Sequence, residues 1–217
     1  MIVAIDGPCG SGKSEAAKEV ALRLENFTFV NTGRLYRAVA LAALLEGICT
    51  TDREAVAACL PLDIQTEYDA GGVQRTFLNK VDVTGLLDCK APKKGASDVA
   101  NNDEVRRFLL QKQRDLAFLK ENGVLEGRDI GSVVFPDAEV KIFLFADENV
   151  RARRRMKDGT SFEEALADVQ YRDEQDRTRE YAPLVQTDAH EPLDNTHMNL
   201  EETVQAIIDI IQKRRAS

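Results

Sequence analysis

The sequence predicts an α/β fold, a parallel sheet flanked by helices and broken by one small β-rich insert. Three observations carry this. Short apolar runs at 2–5, 27–30, 124–125 and 140–146 alternate with stretches of helical period, the order that builds a parallel, doubly wound sheet. The first run leads directly into a glycine-rich turn and then an amphipathic helix. After Pro61 the pattern switches to a β-rich stretch at 63–84 before the alternation resumes.

Residues 2–5 read as a buried strand. In 14–24, Ala16, Ala17, Val20, Ala21 and Leu24 share one helical face. A helix is expected over 35–45 with Gly47 as its C-cap, and a short one over 53–60, stopped by Pro61. The 63–84 stretch reads as an antiparallel meander with turns at 69–72 and 79–80. A long helix over 103–121 would turn Val105, Phe108, Leu109, Leu116 and Leu119 inward, with Gly123 closing it. The apolar run 140–146 suits a strand covered on both faces. Two more helices are expected at 149–156 and 162–173, and Pro192 makes 190–194 an edge strand or a loop. Asn199 is expected to cap the last helix, with Glu202 in its first turn and Leu200, Val204, Ile207, Ile208 and Ile211 buried. The division expected is one domain: a core of 1–61, 86–150 and 174–217, an insert at about 62–85, and a segment at about 151–173 set apart as a lid.

At 217 residues, 43% apolar and 30% charged, the chain has the profile of a soluble globular protein. No apolar run approaches the roughly 20 residues of a membrane-spanning helix, and the N-terminus lacks a signal-peptide pattern, so a cytoplasmic protein is expected. Cys9, Cys49, Cys59 and Cys89 are scattered, without Cys-x-x-Cys spacing or nearby histidines, which argues against zinc and against disulfides. A net charge of −8 repels nucleic acid polymers. Yet Arg151, Arg153, Arg154, Arg155 and Lys157 cluster, as do Arg172, Arg177 and Arg179. Such clusters suit a small polyanion; standing alone they would read as solvated helix faces.

Gly7-Pro8-Cys9-Gly10-Ser11-Gly12-Lys13-Ser14 fits G-x-x-x-x-G-K-[ST], placed as the motif requires between a strand and a helix. The glycines let successive N–H groups wrap a phosphate, and the adjoining helix presents its positive end to the same anion. Lys13 can reach β and γ phosphates, and the Ser14 hydroxyl can ligate Mg²⁺. The loop establishes nucleoside triphosphate binding but not the reaction that the binding serves.

Further motifs narrow this. Together with Gly7 to Ser14, the chain contains Asn31-Thr32-Gly33-Arg34-Leu35-Tyr36-Arg37, Glu126-Gly127-Arg128-Asp129-Ile130-Gly131-Ser132-Val133-Val134-Phe135-Pro136 and Arg172-Asp173-Glu174-Gln175-Asp176-Arg177-Thr178-Arg179. Over nearly its full length it resembles the bacterial cytidylate kinases, nucleoside monophosphate (NMP) kinases acting on CMP and dCMP. The resemblance implies a P-loop kinase core, with the β-rich insert as the NMP-side subdomain and a short lid whose turn would be Lys157 to Thr160. It implies ATP held by Gly7 to Ser14 and Glu15, flanked by Arg151 and Arg155 of the lid. Arg37, Arg128 and Arg179 would hold the CMP phosphate, near Thr32; Arg172 and Asp176 would grip the ribose; Ser97, Arg106 and Asp129 would read cytosine. Lys13, Arg128 and Arg179 would be the catalytic cations and Ser14 the Mg²⁺ ligand. ATP and CMP or dCMP are then the small-molecule partners, with no polymer or membrane, and a monomer is the default expectation.

Taken singly, these residues have plainer readings. Asp129 would pair with a neighbouring arginine, Ser97 would cap a helix ahead of Asp98, and Arg106 would be a solvated helix residue. Arg172, Asp176 and Arg179, at i, i+4 and i+7, would form a surface ladder. His190 and His197, in a polar tail segment, have no expected catalytic role. Three positions depart from the family pattern, one of them Arg34, which replaces a small residue. Asn31 stands where Asp is usual, so weaker Mg²⁺ binding is expected. Cys9 replaces Ser or Ala at a helix N-terminus, where thiols tend to be reactive, so its alkylation should block ATP. A kinase for UMP, dTMP or shikimate, or a non-catalytic nucleotide-binding regulator, is the rival reading. The second leaves the acceptor-side arginines unexplained.

Overall fold

The computed structural model describes residues 1–69, 72–156 and 160–216. The main sheet has five parallel strands: β1 (Ile2–Asp6), β2 (Phe27–Asn31), β6 (Asn122–Gly127), β7 (Val140–Phe145) and β8 (Glu191–Asp194). Their order across the sheet is β2-β6-β1-β7-β8. The insert is a separate antiparallel sheet of β3 (Ile64–Tyr68), β4 (Gln74–Leu78) and β5 (Val81–Asp82). Eight α-helices lie among the described residues: α1 (Lys13–Arg23), α2 (Gly33–Leu45), α3 (Arg53–Ala58), α4 (Lys90–Val99), α5 (Asp103–Ala117), α6 (Glu148–Arg155), α7 (Phe162–Thr178) and α8 (Leu200–Arg215). None is long and apolar enough to cross a membrane.

The central strand β1 is buried throughout and splits its side chains by the two-residue alternation of a strand. Val3 and Ile5 pack with Ala16, Ala17 and Val20 of α1 and with Ile207 and Ile211 of α8. Ile2 and Ala4 face Leu125, Ile130 and Ala117 on the other side. A third core joins α2, α4 and the insert. Each fully buried Ile or Leu contributes about 1.5–3 kcal/mol. These cores fix the carboxyl ends of β1, β2 and β6 side by side, where open α/β sheets bind ligands.

Several expectations change. Helix α4 is hidden in the sequence, because Pro92 and Gly95 mask it. Pro92 lies in the first turn, where its missing N–H has no helical partner anyway. Gly95 permits close approach, since a Cβ there would lie 2.7 Å from Thr50 Cγ2 and 3.1 Å from Ala40 Cβ. Ser97 is therefore inside α4 and caps nothing. Helix α5 stops at Ala117, leaving Leu119 56% exposed. Gly123 does not close it but pairs within β6, where a Cβ would meet Ala117 O at 2.9 Å. In β7 only Val140, Ile142 and Leu144 are buried, so the strand is covered fully on one face alone. Leu200 is 48% exposed, whereas the capping box of Asn199 and Glu202 forms as expected. Pro192 is accommodated because β8 is an edge strand. Gly47, at φ 71°, lies just past α2. The expected turns at Ala70-Gly71 and at Lys157 to Gly159 lie outside the described residues.

His190 is the larger surprise: the polar tail brings it into the core, 5% exposed. Its Nδ1 accepts from Thr187 N at 3.2 Å, so Nε2 donates to Asp6 Oδ2, also at 3.2 Å. Asp6 further accepts from Ile130 N and Gly131 N, both at 2.7 Å. The last residue of β1 thereby anchors the π-helical turn Ile130–Val134 and the tail. Replacing Asp6 with Ala would leave two buried amides without acceptors. Urea unfolding of Asp6→Ala is expected to show a loss of roughly 2–4 kcal/mol.

Candidate active site

A cleft of about 990 Å³ runs across the carboxyl ends of the strands. One wall is the loop Gly7 to Gly12. Gly7, at φ 154°, passes so close to β7 that a Cβ would lie 2.0 Å from Leu144 O. Gly12, at φ 88°, is the left-handed N-cap of α1 and supplies no side-chain acceptor. The first amides of α1 are thus left open to an anion. Lys13 is buried beneath them, its Nζ donating to Pro8 O at 2.8 Å and to Ser11 Oγ at 3.3 Å. Burial first, and then the neighbouring Arg128, lower the Lys13 pKa to about 8. An anion in the loop would reverse that shift.

Beside Lys13, Ser14 Oγ donates to Glu126 Oε1 at 2.7 Å, and Asn31 Nδ2 lies 3.5 Å from Ser14 Oγ. Asn31 Oδ1 is buried without a hydrogen-bond partner. A hydroxyl, a carboxylate and an unpaired amide oxygen are hard donors, and they fit a small divalent cation whose other ligands are phosphate and water. Among the described residues no group of three or more His, Cys, Asp or Glu side chains forms a metal cage. Gln74 of the insert reaches the same spot, accepting from Asn31 N at 2.8 Å.

The opposite wall is a chain of alternating charges. Arg128 Nε donates to Asp176 Oδ2 at 2.5 Å; Asp176 Oδ1 lies 3.6 Å from Arg179 Nη1; Arg179 Nη2 lies 3.6 Å from Asp129 Oδ1; and Asp129 Oδ2 accepts from Arg106 Nη2. Three guanidinium groups face two carboxylates, so the chain carries one net positive charge. Burial opposes the charged form of Asp176, but Arg128 and Arg179 outweigh it and hold its carboxyl below the usual range. Burial similarly opposes Arg128, and Asp176 more than compensates, raising it. Arg106 sits between the rings of Tyr36 and Tyr181, 5.5 and 5.9 Å from their centroids, an arrangement that fixes its plane.

Of the residues singled out in the sequence, Cys9, Gly10, Gly12, Lys13, Ser14, Glu15, Thr32, Arg37, Ser97, Arg106, Arg128, Asp129, Arg155, Arg172, Asp176 and Arg179 all line this one cleft. Gly7, Pro8 and Ser11 shape the loop from behind. Arg151 departs from the expectation: it does not line the cleft, and its Nε and Nη1 donate to Ala146 O, Cys9 O and Asp173. The neighbour Arg154, unassigned in the sequence, lines the cleft instead and donates to Asn195 O at 2.7 Å. Arg179 is not on the α7 face but lies just beyond its last turn in extended conformation. Cys9 is buried, so its thiol is not offered to solvent as a reactive group would be. Sequence reasoning also misses the carboxylates that hold the cations. Asp88 gathers Arg34, Arg37 and Lys93, and Asp168 joins Arg155 to Arg172. Only Asp168, four residues before Arg172 on α7, could have been foreseen by spacing.

Residues 3–213 match the family described as Cytidylate kinase. Among similar proteins, the cytidylate kinase of Neisseria gonorrhoeae is 42% identical, covering 98% of this chain and 97% of its own. That of Shouchella clausii is 40% identical over 97% and 96%, and that of Salinibacter ruber 39% over 98% and 97%.

With Lys13 largely neutral above pH 8, a polyphosphate must recharge it on binding. Inorganic tripolyphosphate, titrated calorimetrically at pH 8.5 in buffers of different ionisation enthalpy, should bind with proton uptake. Its affinity should fall as pH rises from 7.5 to 9.5, because the cationic form is lost through about 8. Lys13→Met should abolish the uptake.

Proposed function

The chain belongs to the cytidylate kinase family, and on that premise we propose that it transfers the γ-phosphoryl group of ATP to CMP or dCMP with Mg²⁺, giving ADP and CDP or dCDP. The observation that carries the reading is one cleft with an amide-lined loop on one wall and the Arg106–Asp129–Arg179–Asp176–Arg128 chain on the other. Two anionic nucleotides meeting end to end need charge suppression and alignment more than covalent chemistry.

The polyphosphate of ATP would lie on the amides of Gly10 to Ser14, with Lys13 leaving Pro8 O to accompany the transferred group. Arg155 would flank ATP from α6. Ser14, with Glu126 and Asn31 behind it, would hold Mg²⁺, which would supply charge neutralisation to the polyphosphate. The acceptor phosphate would exchange into the guanidinium groups of Arg37, Arg128 and Arg179, whose planar forks bind phosphate oxygens in pairs. Its second pKa is about 6, so the attacking oxygen is already ionised near neutrality and no general base is required. Arg172 and Asp176 would hold the ribose, and Thr32 would stand beside the acceptor.

Base choice would rest on Ser97, Arg106 and Asp129. Asp129 can accept from the exocyclic amine of cytosine while Arg106 donates to its ring acceptors. Uracil presents a carbonyl there, leaving a carboxylate facing an acceptor. The same reading makes the protein a cytoplasmic monomer with no nucleic acid polymer as partner.

An ADP-release assay across acceptors tests this directly. CMP and dCMP should be the preferred substrates and UMP a poor one, with Asp129→Asn narrowing the CMP-to-UMP ratio. Preference for dTMP or shikimate, or ATP hydrolysis indifferent to every acceptor, would replace the reading. Lys13→Met should lower turnover by roughly 10²–10³-fold with an unchanged melting temperature.

A further inference from the structure

Arg151 and Asp173 form a buried ion pair directly behind the phosphate loop, each only 4% exposed. Arg151 lies on α6 and Asp173 on α7. Arg151 Nη1 donates to Asp173 Oδ2 at 2.7 Å and to Cys9 O at 2.9 Å, and its Nε donates to Ala146 O at 3.0 Å. Asp173 Oδ1 accepts from Cys9 N at 3.1 Å. One loop residue is therefore gripped at both its N–H and its C=O by the two members of a single pair. There is no slack beside it, since a Cβ on Gly10 would lie 2.9 Å from Arg151 O and 3.1 Å from Arg151 Cβ.

We propose that Arg151 and Asp173 are a positioning pair for the phosphate loop: they set the Cys9 peptide, and through it the direction of the succeeding amides, without touching ATP. This rests on the reading that the loop receives ATP. A carboxylate placed behind an anion-binding loop opposes the ligand through space, so its presence there is explained by geometry rather than by attraction. Arg151 neutralises it, and neither charge can be left alone at that depth without a large penalty. The pair also joins the loop to α6 and α7, which carry Arg155 and Arg172.

A direct-contact role and a positioning role differ in sign. Mg·ATP and CMP affinities are measured separately by calorimetry on the intact chain, with thermal melts alongside. Asp173→Ala removes a negative charge near the triphosphate, yet positioning requires Mg·ATP to bind about fivefold more weakly while CMP stays within twofold. Unchanged or tighter Mg·ATP binding would overturn the proposal. Arg151→Met should weaken Mg·ATP by about tenfold, because Asp173 is left as an unpaired buried charge beside the loop, and adding Asp173→Asn should recover most of that, because the stranded charge disappears while an acceptor for Cys9 N remains. A double variant as weak as Arg151→Met alone would mean that Arg151 holds ATP itself. If Arg151→Met does not fold, Asp173→Ala decides the question by its sign. Absence of Mg·ATP binding by the unaltered protein would instead overturn the functional reading.

Discussion

Cations gathered in a dry cleft repel one another, and the architecture of this protein is organised around that difficulty. Lys13, Arg37, Arg106, Arg128, Arg155, Arg172 and Arg179 all line one cleft, and unscreened they would destabilise the fold. Each guanidinium is instead assigned a carboxylate: Asp176 between Arg128 and Arg179, Asp129 between Arg179 and Arg106, Asp88 for Arg37, Asp168 for Arg155 and Arg172. The compensation is incomplete, with three arginines to two aspartates in the central chain. An excess of positive charge is thus stored in a geometry that an incoming phosphate can complete. Lys13 stands apart because its neighbours do not offset its burial, and its proton is correspondingly loosely held.

The sheet makes this arrangement possible. In the order β2-β6-β1-β7-β8, β1 ends in the phosphate loop, β2 in Asn31, and β6 in Glu126 and Gly127 just before Arg128 and Asp129. Three adjacent strand ends therefore set the loop, the cation-side oxygens and the arginine chain within one cleft before any ligand arrives. Asp6 ties the first of these to the last, since its carboxylate accepts from the two amides immediately after Asp129, where the turn Ile130–Val134 begins. Loop and acceptor wall are held in register by buried hydrogen bonds from two backbone amides to the Asp6 carboxylate, which do not depend on exposed, salt-sensitive pairs.

Much of this is legible in the sequence, because local rules decide it. The loop motif requires a strand before it and a helix after it, and β1 and α1 occupy those places. Gly47 and Asn199 act as the caps their residue types suggest. The features that escape a sequence reading are set by tertiary contact. Gly95 gives no helix signal in the sequence, and only the fold brings Ala40 of α2 within 3.1 Å of a Cβ there. His190 reads as a tail residue until β8 joins the edge of the sheet and carries it to Asp6. Arg151 and Arg155 have the same spacing logic in sequence. One is nevertheless buried against the loop while the other lines the cleft, because only the fold places Asp173 under the first and Asp168 beside the second.

That last contrast bears on how charged residues divide their work. A guanidinium with a buried aspartate and two carbonyl acceptors, as at Arg151, has its Nε and Nη1 committed to the protein. A guanidinium whose partner is a half-exposed carboxylate, as at Arg37 and Arg155, is held loosely by an interaction that water already weakens. Phosphate can take the place of such a carboxylate at small net change in free energy, since one charge-assisted bond is exchanged for another. The exposure of the carboxylate, more than the identity of the cation, therefore separates arginines that build the site from arginines suited to bind in it. Arg179 lies between these limits, buried with Asp176 and Asp129 yet short of full compensation, which is the condition expected of a group that must hold an anion firmly and still release a product.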